Sequence, residues 1–405
     1  MSTPLYPLSS NRYPHRLLVR GVNWLGDAVM TTPALLRLRE ALPDMHITLL
    51  THEKLAGLWQ GHPAVDEVIT FAPKEGVFSV ARRLRRAGDL QSPPAVLPAK
   101  DGDCKSPARV GGSFDAVLVL PNSIRTGLEA RLAGIPRRIG YAGSWRDWLL
   151  TEAVPWRADG VRMRKRTAAE VRRLVATGQD AQQRVPTLPN SSHHIFHYLQ
   201  LAAALGAKPE PLAPHIAVTD AEVAAVKAKF SLPDGPLIGL NAGAEYGPAK
   251  RWPAERFVAV AKELHARLGC AFVVFGGPAD NALANEIATA LASTSARIVT
   301  NLAARTSLRE LCAALRACRV VLTNDTGPMH LAAAVGARVV GLFGSTSTEL
   351  TGPGLPGDTR HTLLRGIAPC SPCFLRECPV DFRCMKSLTE ERVVEAVRQA
   401  AAPPA

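Results

Sequence analysis

Three short stretches of this chain carry the residue types that handle a phosphorylated ligand. The first, NAGAEYGPAKRWP at 241–253, joins two glycines to adjacent cations at Lys250 and Arg251. Glycines let backbone amides approach a phosphate, and a cation neutralises its charge. The same run also reads as a turn with a solvated Lys-Arg pair. The second, TNDTGPMH at 323–330, stands where a strand gives way to a helix. Asp325 or Thr326 can cap that helix, and Gly327 lets a ligand reach first-turn amides that carry roughly half a positive charge. An ordinary cap has the same sequence, and His330 reads as a satisfied helix histidine rather than a catalyst. The third, GVNWLGD at 21–27, ends in Gly26 and Asp27. A carboxylate at a strand-to-helix turn suits a general base, or it caps the helix. Gly276-Gly277-Pro278 is a weaker signal, because Gly-Pro turns commonly follow strands.

Other constellations point elsewhere. GxGxxG occurs only as the Pro-bearing GPGLPG at 352–357, which does not directly follow an expected strand, and GxxxxGK[ST] does not occur, so nicotinamide and P-loop chemistry lack their main support. Cys370, Cys373, Cys378 and Cys384 fall within 15 residues. Such a set could hold zinc or an iron–sulfur cluster, although the spacing is not that of a two-knuckle zinc ribbon. Reduced thiols in a loop are the alternative, and a reducing compartment disfavours disulfides. Cys104 and Cys270 are scattered, and Cys312 and Cys318 read as core packing. Asp101-Gly-Asp103 imitates a metal-binding DxD but lies in a Pro-rich stretch.

These loops need a scaffold that presents strand ends side by side. Strands are expected over 16–20, 47–51, 116–120, 237–240, 271–275, 320–323 and 339–343, with helices between them. That alternation predicts parallel sheets covered by helices, and ligands bind such sheets at the carboxyl ends of the strands. Residues 87–113 and 158–192 read as irregular insertions, and KPEPLAP at 208–214 as a linker. Two domains follow, over 1–210 and 215–387, with a helix in 388–405 packing back on the first.

The 405 residues carry a net charge of +13. Residues 1–215 hold 28 Lys and Arg against 18 Asp and Glu, so most of the excess lies there. A basic balance favours an anionic partner: nucleic acid, a membrane surface or an anionic glycolipid. No nucleic-acid-binding motif is visible. No apolar run reaches the roughly 18 residues of a membrane span, and residues 1–11 lack a signal-peptide layout. A cytoplasmic location is expected.

Taken together and in order, Gly26-Asp27, GAEYGPAKRWP at 243–253 and NDTGPMH at 324–330 resemble the glycosyltransferase family of the heptosyltransferases. LPNS at 120–123 and AGIP at 133–136 match the same family. The likeness covers about 16–80, 113–155 and 193–400. The Tyr246-bearing string is specific to the branch that adds the second inner-core heptose, which favours it over the branch that adds the first. The resemblance implies an α/β GT-B fold, two Rossmann-like domains with the active site in the cleft between them. It implies an ADP-heptose donor and, as acceptor, the first heptose of the anionic lipopolysaccharide inner core. Transfer would be inverting and metal-independent, without a cofactor or nucleic acid, at the inner face of the inner membrane. Asp27 would be the base, Lys250 would meet the donor phosphates, and Asp325, Thr326 and Gly327 would line the donor site. Gly26, Gly243, Ala244, Glu245, Gly276 and His330 complete the candidate donor-binding set. The rival reading is a binding protein whose basic half holds nucleic acid or membrane without catalysis.

Overall fold

A computed structural model describes residues 15–90, 114–143, 145–161, 163–178, 190–293 and 298–402. The accidental DxD look-alike at 101–103, Cys104 and most of the insertion at 87–113 lie outside the described residues. The chain forms two compact units. One comprises residues up to 23, 34–157 and 198–210; the other comprises 24–33, 158–197 and 211 onward.

Each unit is built on a six-stranded parallel sheet. In the first, β1 (Arg16–Arg20), β2 (His46–His52), β3 (Glu67–Phe71), β4 (Ala116–Val119), β5 (Arg137–Tyr141) and β6 (Glu152–Val154) stand in the order 3-2-1-4-5-6. In the second, β7 (Leu237–Asn241), β8 (Ala271–Val274), β9 (Val299–Asn301), β10 (Val320–Asn324), β11 (Arg338–Phe343) and β12 (Thr362–Arg365) stand in the order 12-11-10-7-8-9. Counted within the unit, that is the same 3-2-1-4-5-6 arrangement. The central strands are buried on both faces, so they read as apolar runs, with polar residues only at the carboxyl ends of β7 and β10. In both sheets the order reverses beside the first strand, between β1 and β4 and between β7 and β10. A crevice opens at such a reversal.

The strands expected from sequence match β1, β2, β4, β7, β8, β10 and β11 to within two residues. Strands β3, β5, β6, β9 and β12 were not anticipated. Four of them, β3, β6, β9 and β12, are sheet edges, short and mostly half-exposed; β5 lies inside its sheet, and the arginines at its start, Arg137 and Arg138, interrupt its apolar pattern. Two other expectations are corrected. Residues 158–192 contain a helix, Ala168–Thr177, rather than only irregular chain. Thr167 caps it by accepting from the Glu170 amide, and Val171, Leu174 and Val175 pack into the second unit's core. The helix Glu390–Ala401 does the same rather than returning to the first domain. Val393, Val394, Val397 and Ala400 belong to the core beside helix Ala254–Leu268 and β11. Among the described residues, no helix is long and apolar enough to cross a membrane.

Leu264, fully buried on helix Ala254–Leu268, tests that packing. Leu264→Ala should cost about 2–5 kcal/mol of stability, read as a lower midpoint of chemical unfolding with near-normal circular dichroism in buffer.

Candidate active site

The loops that leave β7 and β10 flank the sheet reversal in the second unit. Lys250 closes the 3₁₀ turn Pro248–Lys250 and reaches across to the other loop. Its Nζ donates to Asp325 Oδ2 at 2.8 Å and to the Asp325 carbonyl at 3.2 Å. Asp325 is almost completely buried and Lys250 largely so. Two asparagines fasten the same strand ends. Asn241 Nδ2 donates to the hydroxyls of Thr323 and Thr326, each at 2.9 Å. Asn324 Nδ2 donates to the Ala242 carbonyl at 2.7 Å, and its Oδ1 accepts from the Trp252 amide at 3.1 Å. Both asparagines are buried, and a buried amide side chain must be satisfied.

Thr326 is the N-cap residue of helix Gly327–Ala334, yet its side chain makes no capping bond. Its hydroxyl is engaged by Asn241 instead. Gly327 is tightly surrounded: a β-carbon there would lie 2.8 Å from Leu25 Cβ. A β-carbon on Gly26 would lie 2.8 Å from His330 Cδ2. Residues 24–33 count with this unit, so the Gly26-Asp27 turn is packed against the 325–330 loop. Asp27 is the third residue of helix Leu25–Ala41, half-buried in the first turn rather than at its cap.

The remaining expected positions divide. Gly243 and Gly276 sit against Asp280, whose carboxylate occupies the space a Gly243 side chain would need. Arg251 pairs with Asp280 at 3.1 Å. Ala244 is buried and Glu245 is exposed. Gly247 has φ +154°, and the Arg376 carbonyl fills its side-chain position, so only glycine fits. The four terminal cysteines are free thiols, all but Cys378 buried. Burial and one another's charge raise Cys370, Cys373 and Cys384, the last to about 12. Among the described residues, no group of His, Cys, Asp or Glu side chains is arranged to hold a metal ion.

Some residues here escaped the sequence reading. Asp280 and His193 stand after a strand and in a poorly patterned segment, and nothing about their spacing marks them; Asn241 opens the 241–253 stretch, but the sequence assigns it no role. His193 Nε2 donates to the Gly352 carbonyl at 2.9 Å, while its Nδ1 accepts from the Ile195 amide at 3.3 Å. Burial lowers both His193 and His330 to about 4, with His330 partly restored by Asp325. In the first unit, Arg146 is buried beside β5, donates to the Pro121 carbonyl at 2.8 Å, and leaves Nε and Nη2 without a partner among the described residues.

A family model for glycosyltransferase family 9, the heptosyltransferases, matches residues 163–382. The chain belongs to that family. It is therefore a glycosyltransferase. It is 30% identical to lipopolysaccharide heptosyltransferase 2 of Salmonella typhimurium over 84% of this chain and 85% of that one. Lipooligosaccharide heptosyltransferase 2 of Haemophilus ducreyi gives 30% over 84% and 86%. Among solved structures, Escherichia coli ADP-heptose lipopolysaccharide heptosyltransferase II superposes with a TM-score of 0.69 at 26% identity, covering 95% of this chain and 98% of that one. The paired α/β units are thus the two-domain, GT-B-type arrangement of this family.

The buried histidines set a pH dependence. His193 and His330 bind a proton less readily folded than unfolded, so acid favours the unfolded chain. Their contribution is intact above about pH 6.5 and is lost progressively as pH falls toward about 4. Between pH 7 and 5 the loss should be on the order of 2 kcal/mol per histidine. Urea midpoints at the two pH values should show the drop, and His330→Asn should reduce it; equal drops in both proteins would contradict the assignment.

Proposed function

We propose that the chain transfers heptose from ADP-heptose to the first heptose of the lipopolysaccharide inner core, with inversion, at the inner face of the inner membrane. The observation that carries this reading is the packing of the Gly26-Asp27 turn against the 325–330 loop, which Lys250 joins. A carboxylate and a cation on neighbouring strand-end loops suit a displacement at a sugar–phosphate bond. Asp27 takes the proton from the acceptor hydroxyl as its oxygen attacks the anomeric carbon. The bond to the diphosphate breaks, and ADP leaves from the opposite face with the electron pair.

The leaving charge is met by Lys250 and by the positive end of helix Gly327–Ala334. An ammonium has three donors; Asp325 takes two from Lys250, which leaves one for a phosphate oxygen. With those groups in place the reading assigns no metal to the diphosphate. Asn241 engages the Thr326 hydroxyl, so that hydroxyl does not cap the first-turn amides of the helix. A nucleic-acid-binding role has no need of this arrangement.

The direct test is purified protein with ADP-heptose and a defined heptosyl inner-core acceptor, with product mass and anomeric configuration measured. No mass gain, or retained configuration, would overturn the reading. Lys250→Ala should weaken donor binding by about 1.5–3 kcal/mol in titration calorimetry. Asp27→Asn keeps the size but cannot take a proton, so turnover should fall about 10²–10⁴-fold. Its thermal melt and donor affinity should stay close to wild type. Turnover within a few-fold of wild type would reduce Asp27 to a helix-dipole partner.

A further inference from the structure

The first unit carries a second feature that the chemistry above does not use. Four large apolar side chains stand in water: Phe78 at 74% exposure, Ile124 at 50%, Trp145 at 80% and Trp148 at 62%. They are close in the fold. Phe78 is the second residue of helix Val77–Leu90, which follows β3, and Ile124 opens helix Ile124–Leu132, which follows β4. Both therefore lie toward the carboxyl edge of one parallel sheet. The two helices pack on each other, and Arg125 donates to the Glu75 carbonyl, tying their starts together. Trp148 sits in the 3₁₀ turn Asp147–Leu149, which lies along the second helix. Leu149 packs above Gly127, and the Arg131 guanidinium lies 5.6 Å from the Trp148 ring. Trp145 precedes that turn.

Helix Val77–Leu90 supplies the charge. Val80, Ala81 and Leu84 face the core. Phe78, Arg82, Arg85 and Arg86, at i, i+4, i+7 and i+8, form the exposed stripe. The helix contains four arginines and one acid, Asp89. An apolar residue beside a basic stripe on an amphipathic helix is a membrane-surface pattern.

We propose that this face docks the protein on an anionic lipid bilayer, with Phe78, Ile124, Trp145 and Trp148 seated at the headgroup boundary and the arginines over lipid phosphates. The apolar side chains come from three elements, the starts of two helices and the turn 145–148, with the arginine stripe beside them. Exposed aromatic side chains beside arginines on one face match the charge and polarity profile of an anionic bilayer surface. Tryptophan suits that boundary because it joins an apolar body to an N–H donor. The inference rests on the proposed lipid-linked acceptor for its biological setting, but its test does not.

The test is co-sedimentation of the full chain with vesicles of phosphatidylglycerol and phosphatidylethanolamine that contain no glycan acceptor. Wild type should bind at low salt and release as salt rises. Trp145→Ser with Trp148→Ser should lower the partition coefficient about tenfold. Arg82→Gln with Arg85→Gln should lower it roughly fivefold per arginine and flatten the salt dependence. Turnover on a deacylated, water-soluble acceptor should stay within about twofold in both variants. A wild type that stays in the supernatant, or that binds only when vesicles carry the glycolipid acceptor, overturns the proposal. So does a tryptophan variant that binds like wild type. If that variant melts early, Phe78→Ser, at a mostly exposed position, decides in its place. Failure of wild type on the soluble acceptor would count against the transferase reading and leave the vesicle result standing.

Discussion

Lys250 and Asp325 meet where the order of the second sheet reverses, and the candidate site depends on their contact. The two strands that end there would otherwise release two independent loops into solvent. The ion pair joins them at 2.8 Å, with one carboxylate almost entirely out of water. Such a pair does not stabilise by attraction alone, because removing charges from water costs about as much as the attraction returns. Its effect is geometric: once the carboxylate is buried, the ammonium has only one place to go. Asn241 and Asn324 reinforce this from below by spanning β7 and β10 at their last residues. The Asn241 contact also fixes the Thr326 hydroxyl, so the state of the helix end follows from a side chain more than 80 residues away in sequence.

The segment rich in cysteine acts on the same loop from outside. Tyr246 donates its hydroxyl to the Phe374 carbonyl at 3.0 Å, and its ring lies between Lys250 and Arg376 at 5.3 and 5.0 Å. The Ala249 amide donates to the Arg376 carbonyl at 2.9 Å, and Trp252 Nε1 donates to the Leu388 carbonyl at 3.1 Å. Residues 374–388 therefore buttress the loop that carries Lys250. The three buried thiols beside this buttress, Cys370, Cys373 and Cys384, behave as small apolar side chains.

The parallel strands were legible because burial on both faces leaves runs such as Val320–Asn324 with no polar alternation to confuse them. The strand-end loops were legible because glycine beside a cation or a carboxylate is conspicuous. The outer strands were not: Val299–Asn301 and Glu152–Val154 are three residues each and owe their form to a neighbour. Helix Ala168–Thr177 was hidden by its arginines, whose charge masked the apolar spacing of Val171, Leu174 and Val175. The C-terminal helix was foreseen as a helix, but periodicity cannot say which core an amphipathic face will join. Pairings such as Asn241 with Thr326, or Gly243 with Asp280, are set by tertiary approach and leave no local mark.

The division of the chain has a consequence for how such proteins diversify. Helix Leu25–Ala41 changes allegiance at Pro33, whose missing amide leaves the Val29 carbonyl to the Thr32 hydroxyl at 2.8 Å. Residues 158–197 likewise lie with the unit that follows them in sequence. A recombination event joining two relatives at a single point near residue 210 would therefore separate the Gly26-Asp27 turn from the loop it packs against. It would also leave Val171 behind from the core it fills. Exchange of an intact half requires three segments to travel together, so new specificities in a chain of this layout arise more readily by substitution within loops than by shuffling of halves.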